Sequence, residues 1–495
     1  MSGNGSATNP YIVRSTKGFL WLSNSAVSGI YMSNKYIQIC CDIVLNEECF
    51  DKSGKPSGGD GVVYQWQPIS HGANSDINFN NHSILGLFFN DEGKETVSLF
   101  GSVQIYNVSN LNFKNIFIKA KKKVAALCFI SRGTIRNCKV LSGSLIGESY
   151  VASLVSENGN IIEDCENYAT IEASGNNASG LTNGLGNMGE INNCSNYGDV
   201  SAHTWVGGLY CATFGGTKYI NNCNNYGKIV SEDGRVGGIM GSYIASSGKL
   251  YIDSCKNFGE VFGGISYGAV AGIIGIAYGF VQISNSSNYA DVYSRDITAG
   301  IVANVSVGSD NVKEGRIDII NCYNHSSNSI IGAVSAGQKD YVLEVSLKGV
   351  ENNYTRKNDA ALVQYAKQSN GGVLKLFVKD CKINLLSKEI FTGNAIVRFL
   401  TGNIYLDKVL INANCINSNF KQFLMNNQSE QLLNLNNIVI NNLESKWFAG
   451  SDFSGFYVDF KTGQIGLKAF SGKGFYQGKV TEELLLAKGY EKKAI

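Results

Sequence analysis

The stretch “INNCSNYGDV” at residues 191–200 returns as “INNCNNYGKI” at residues 220–229, so one ten-residue phrase recurs, cysteine included, 29 residues on. Aligned on that cysteine, the anchor positions are Ile116, Cys138, Cys165, Cys194, Cys223, Cys255, Ser286, Cys322, Val350, Cys381, Val409 and Ile438. The steps between them are 22, 27, 29, 29, 32, 31, 36, 28, 31, 28 and 29. Three residues before the anchor stands an apolar residue, through Phe113, Ile135, Ile162, Ile191, Ile220, Ile252, Ile283 and Ile319. One residue before it, Asn or Asp dominates, from Asn115 and Asn137 to Asp380 and Asn437.

Further columns accompany the middle copies. Asn167, Asn196, Asn225, Asn257, Asn288 and Asn324 follow the anchor by two, and Tyr168, Tyr197, Tyr226, Phe258, Tyr289 and His325 by three. A small-residue column precedes it, at Ala126, Ser153, Gly180, Gly208, Gly238, Gly272 and Gly300. A period near 29 rich in Gly, Asn and β-branched residues, without a 3.6-residue pattern, excludes helical solenoids. At roughly 3.3 Å per strand residue such a length closes into a three-sided coil. The expectation is an all-β chain forming a right-handed parallel β-helix of about 29-residue turns, with N- and C-terminal caps. Stacked coils place equivalent residues about 4.8 Å apart, so each column becomes a ladder. The Tyr168–His325 column is expected to serve internal or corner packing rather than sugar stacking.

Three segments are expected: residues 1–101 as an N-terminal capping segment, 102–440 as the repeats, and 441–495 as a C-terminal cap or docking element. The first carries longer, less regular strands such as “YIQICCDIVLN” and “NHSILGLFFN”. The last holds a hairpin in “FYVDFKTGQIGLKAF” and a short helix capped by Thr481 and ended by Gly489. Capping matters because an open solenoid end exposes unpaired strand edges. The 36-residue step from Ser286 to Cys322 requires an inserted loop near “VSVGSDNVKEGR”.

Composition narrows the function classes. Charged residues make up 17% of the 495 positions and the net charge is +2, which leaves no broad footprint for nucleic acid. The basic run Lys119–Lys123 reads as a solvated loop. “GAVAGIIGIAYGFVQI”, from Gly268 to Ile283, is too short and glycine-rich for a spanning helix, so membrane insertion is not expected. The start “MSGNGSATNPYIV” lacks the pattern of a signal peptide. Thirteen cysteines, an odd number set mostly at the repeat interval, read as reduced, buried thiols.

The array “NCSNYGDV…VGGL”, “NCNNYGKI…VGGIMG” and “SCKNFGEV…AVAGIIG” resembles the GLUG-type repeats of bacterial surface and adhesin-like proteins. The run “YIVRSTKGFLWLSN”, “YIQICCDIVLN”, “WQPIS”, “NHSILGL” and “SLFG” is similar to the segment that precedes such repeats. The resemblance covers roughly residues 10–330 and implies a parallel β-helix with a cell-surface or attachment role. It carries no catalytic residues. With no export signal read in the sequence, analogy with β-helical spikes points to cytoplasmic synthesis and a place in a phage-like particle, as a homotrimer. The expected partners are other particle or surface components and a glycan. The region “GFYVDFKTGQIGLKAFSGKGFYQG” is the expected oligomer or partner contact.

Five residues after each anchor runs a mixed column, Thr170, Asp199, Lys228, Glu260 and Asp291. Glu260 and Asp291, on successive coils, are the candidate catalytic carboxylates if the chain is a polysaccharide depolymerase. Their alternation in sign with Asp199 and Lys228 reads instead as a solvated ladder. Trp66, Trp205 and Trp447 are scattered. The histidines His71, His82, His203 and His325 lack metal-ligand spacing, and neither metal nor cofactor is expected. Cys40, Cys41, Cys49 and Cys211 fall outside the columns and have no evident base partner. A purely architectural stacking protein is the third alternative.

Overall fold

The computed structural model describes residues 2–24, 28, 32–50, 56, 64–69, 74–105, 107–213, 215–245, 247–264, 268–307, 313–337, 339–356, 359–386 and 394–413, and beyond these the strands alone. Among the described residues strands predominate, and parallel strands stack as a β-solenoid of about 12 turns of roughly 29 residues. The chain divides into two compact units. The first comprises Met1–Ser242 with Cys255–Gly268, the second Tyr243–Ser254 with Ala269–Ile495.

The repeated phrase shows how a coil is made. Ile191 points inward at the end of the strand Leu185–Asn192. Asn193 follows with a φ of +55°, a left-handed bend that turns the chain without a long loop. Cys194 and Asn196 then point inward on either side of Ser195, Tyr197 points outward, and Val200 returns to the core. The bend recurs at the same position in coil after coil: Asn110, Asn137, Asp164, Asn193, Asn222 and Ser254 have φ between +50° and +59°. Asn285, Asn321, Asp380 and Lys408 do the same, and Gly349 sits at +63°. The Asn/Asp column therefore exists chiefly because those side chains tolerate the left-handed region by bonding locally.

In the first unit the register runs Tyr11↔Ile37↔Ile77↔Val108↔Ile135↔Ile162↔Ile191↔Ile220. In the second it runs Ile252↔Ile283↔Ile319↔Leu347↔Val378↔Leu406. Two further stacks complete the coils, exemplified by Ile171↔Val200↔Ile229 in the first unit and Val302↔Ile331↔Val363↔Val397 in the second. Both interiors are filled by Ile, Val, Leu, Ala and Cys at or near zero exposure, the close packing that in-register like side chains allow.

One sequence alignment shifts. Cys138 lies opposite Leu111, not Ile116, and Asn137 bonds Asn110 across 27 residues. Ile116 belongs to the strand Ile116–Ala120 and pairs with Gly143 in another stack. A 22-residue coil would have been too short to go round.

The N-terminal strands are shorter than expected, Tyr36–Ile39 and Ile43–Val44 among them, and already pair in parallel with later coils. The helix Thr16–Ser23, absent from the sequence reading, starts where Ser15 Oγ accepts from Gly18 N at 3.0 Å. It buries Phe19 and Leu22, with the Phe19 ring stacked on Trp66 at 6.2 Å. The extra residues of the long step fall between the strands Val302–Val307 and Glu314–Ile320, where 308–312 lie outside the described residues. Past Leu433–Asn441 the parallel pattern gives way to antiparallel pairing with Ser445–Phe448. The expected hairpin is present as Phe456–Asp459 against Gln464–Lys468. The Thr481–Gly489 helix falls outside the described residues, as does His71.

Candidate functional site

Two of the columns turn out to face each other inside the coils. Asn167 Nδ2 donates to Asn196 Oδ1, Asn196 to Asn225, and Asn225 to Asn257, each at 2.8 Å. The same amides also donate to the carbonyls of Ala169, Gly198 and Gly227. In the second unit Asn288 donates to Asn324 at 3.1 Å and Asn324 to Asn352 at 2.8 Å. All are fully buried, and burial is tolerable because the amides are chained to one another and to backbone. The small-residue column makes room for them: a Cβ on Gly208 would lie 2.8 Å from Asn225 Oδ1, and one on Gly300 2.2 Å from Asn324 Oδ1.

The cysteine column runs through Cys138, Cys165, Cys194, Cys223 and Cys255 in the first unit, with Cys322 and Cys381 in the second. Cys194 Sγ donates to Asn192 O at 3.1 Å, while Cys194 N reaches Cys223 Sγ at 3.4 Å. All described cysteines are free thiols. Burial pushes Cys322 up to about 12 and Cys381 up to about 11, so neither is a nucleophile near neutrality. Cys49 and Cys211 are buried as well, and burial raises both. Cys40 is exposed, and partial burial with Asp42 alongside raises the Cys41 thiol.

The aromatic column does not pack internally, one of its two expected placements. Its rings stack, but outside the coil: Tyr168, Tyr197, Tyr226 and Phe258 are each about 40% exposed, at 41%, 40%, 43% and 40%. Their centroids are 4.4, 4.7 and 4.9 Å apart and their planes within 6° of parallel. Outward placement follows from alternation, since Asn196 and Gly198 on either side of Tyr197 both point in. Because each ring covers the face of the next, the strip offers edges and hydroxyls rather than flat faces. Tyr168 Oη donates to Glu166 Oε2 at 2.9 Å, and partial burial with that carboxylate raises its pKa. In the second unit Tyr289 stacks on His325 at 4.3 Å, and partial burial lowers the His325 pKa.

The mixed column is solvated. Asp199 Oδ1 accepts from Lys228 N at 2.8 Å, and Lys228 Nζ lies 4.3 Å from the Phe262 ring centroid. Glu260 and Asp291 are both exposed, in separate units, and Asp291 accepts from Tyr293 Oη at 3.2 Å. Lys119, Lys121, Lys122 and Lys123 form ion pairs with Glu92, Glu95 and Glu157, so the basic run is neutralised locally. His82 meets Asp42 at 3.2 Å and His203 meets Glu232 at 3.1 Å. Among the described residues no three His, Cys, Asp or Glu gather as metal ligands. No helix among the described residues is long and apolar enough to cross a membrane.

Sequence reading missed a groove in the second unit. The strands Glu314–Ile320, Val342–Lys348, Val373–Lys379 and Asn403–Ala413 lie side by side in parallel, and their outward residues line an open depression of about 500 Å³. Phe377 and Tyr405 stack there at 4.8 Å and 12°. Around them Arg316 pairs with Asp318 at 2.9 Å, Lys375 with Glu344 at 2.9 Å, and Lys379 with Asp407 at 3.6 Å. These coils lack the Asn-Tyr-Gly phrase, so nothing in the repeat marked them. Lys218 was missed too: it is buried, donates to Gly186 O at 2.6 Å, and burial lowers its pKa to about 8.

No family model and no curated protein matches this chain. A crystal structure described as “a putative immunoglobulin A1 protease from Bacteroides ovatus” matches at 18% identity and a TM-score of 0.41, over 61% of this chain and 86% of that one. A likeness of this size carries no argument about what the present chain does.

Proposed function

We propose that the protein is a non-enzymatic β-solenoid that attaches to a cell surface or glycan through its outer columns. The observation that carries the reading is the exposed stack Tyr168, Tyr197, Tyr226 and Phe258. It keeps four aromatic side chains half in water, with spacings of 4.4–4.9 Å, where interior packing has no use for them. Rigid coils hold such groups at fixed intervals with little ordering cost on binding. The exposure of Glu260 and Asp291 favours binding over cleavage, since a catalytic acid gains its function from partial desolvation. The biological setting we favour is an appendage of a phage-like particle, assembled as a homotrimer. A bacterial surface adhesin, as the GLUG-like repeats suggest, is the alternative setting.

Incubation of the purified chain with capsule and cell-wall glycan tests the reading. Retention on the glycan without new reducing ends or unsaturated sugars supports attachment. Release of such ends makes the protein a depolymerase, and neither retention nor release leaves only an architectural role.

A further inference from the structure

We propose that the groove of the second unit is a subsite for a pyranose ring, seated over Ser346 on the free face of Phe377. The inference rests on the attachment reading only in taking a glycan as the ligand.

The register sets one outward column as Asp318↔Ser346↔Phe377↔Tyr405. Tyr405 covers one face of the Phe377 ring. On the other side, one coil away, stands only the hydroxymethyl of Ser346, so that face borders the depression. Beyond Ser346 comes Asp318. Successive coils are about 4.8 Å apart, so the gap from Phe377 to Asp318 spans two spacings, roughly 9.6 Å. The stack of rings thus ends at Phe377, and the space over Ser346 before Asp318 takes one more six-membered ring.

The flanks select what kind of ring. On the strand Val342–Lys348, Glu344 and Lys348 lie two residues to either side of Ser346 and share its outward face. Glu344 is held by Lys375 at 2.9 Å, and Asp318 by Arg316 at 2.9 Å, so both carboxylates are fixed acceptors. A pyranose presents C–H groups on one face to the aromatic wall and hydroxyls on its rim to these acceptors. A flat apolar ring would stack equally well but leave the carboxylates facing its edge. Lys348 is exposed and makes no ion pair among the described residues. It gives a carboxylated sugar a partner that a neutral one lacks. The volume of about 500 Å³ lies within the usual range for small-ligand sites.

Saturation-transfer NMR on the full chain with methyl β-D-glucuronide and methyl β-D-glucoside is the test. The expected result is transfer to the axial ring protons, tighter binding of the glucuronide, and loss of that preference in Lys348→Gln. Ser346→Tyr, which completes the column of rings, should weaken binding at least tenfold while leaving the melting temperature unchanged or raised. If that variant fails to fold, Phe377→Leu removes the aromatic wall at similar volume and should weaken binding likewise. Unchanged transfer in the folded slot variants, or no transfer to either sugar in the wild type, overturns the subsite. If the wild type retains whole glycan but shows no transfer to either sugar, the subsite fails and the attachment reading stands. If the wild type retains no glycan at all, both fail.

Discussion

Asn196 Nδ2 donates to Asn225 Oδ1 at 2.8 Å, joining two fully buried side chains 29 residues apart. Each amide in this chain spends one proton on the next coil and one on a carbonyl two residues ahead. A break anywhere therefore orphans groups on both sides.

Asn225→Leu keeps the volume and removes the bonds. It strands the Asn196 donor and the Asn257 acceptor in a dry interior, at about 1–3 kcal/mol for each orphaned group. Urea titration should show a lowered midpoint with little change in slope.

Gly208→Ala should be costly for the complementary reason. The new Cβ would lie 1.9 Å from Gly238 O and 2.7 Å from Asn225 Cγ, so backbone or ladder must move. A loss above about 2 kcal/mol is expected. Gly215→Ala, with nothing within 4 Å, is the control and should stay within about 0.5 kcal/mol.

Lys408 occupies the bend position with a φ of +54°, where most other coils place Asn or Asp. Lys408→Asn should therefore raise stability by about 0.5–1 kcal/mol. Asn222→Val, which puts a β-branched residue at a φ of +52°, should lower it by more. Thermal unfolding reads both.

Alkaline pH should weaken the fold through the buried thiols. Cys381 and Cys322 have folded pKa values near 11 and 12 against an ordinary 9.0, so above pH 9 the unfolded chain releases protons that the native one keeps. Their contribution is complete below pH 9 and declines as pH rises toward 11 and 12, by about 1.4 kcal/mol per thiol per unit. Val350 and Val409 already fill the Cys381 position on adjoining coils. Cys381→Val should thus be nearly neutral at pH 7 and give a shallower decline between pH 9 and 10.5.

The coil and its columns were legible because each column repeats one steric requirement. Asn225 and Gly208 recur as a pair since one fills the space the other vacates. The Leu111 coil was misplaced because Phe113, Asn115 and Ile116 mimic the apolar, Asn, apolar pattern, and Asn115 even bends left-handed, at +52°. Coil length should have outweighed the motif. Internal packing, one of the two readings of the aromatic column, was already disfavoured by alternation with Asn196 and Gly198, which turns Tyr197 out. The groove around Ser346 could not be seen in the same way. It depends on which outward residues become neighbours, and on one small side chain between Phe377 and Asp318.

The stacking of like residues on successive coils is tested most directly by a double-mutant cycle at Asn196 and Asn225, each changed to Leu. We predict a coupling energy of about 1 kcal/mol or more between them, against near-additivity for Asn225 and the distant Asn110. Additivity within about 0.3 kcal/mol for the Asn196–Asn225 pair would contradict the ladder, and with it the coil on which the rest is built.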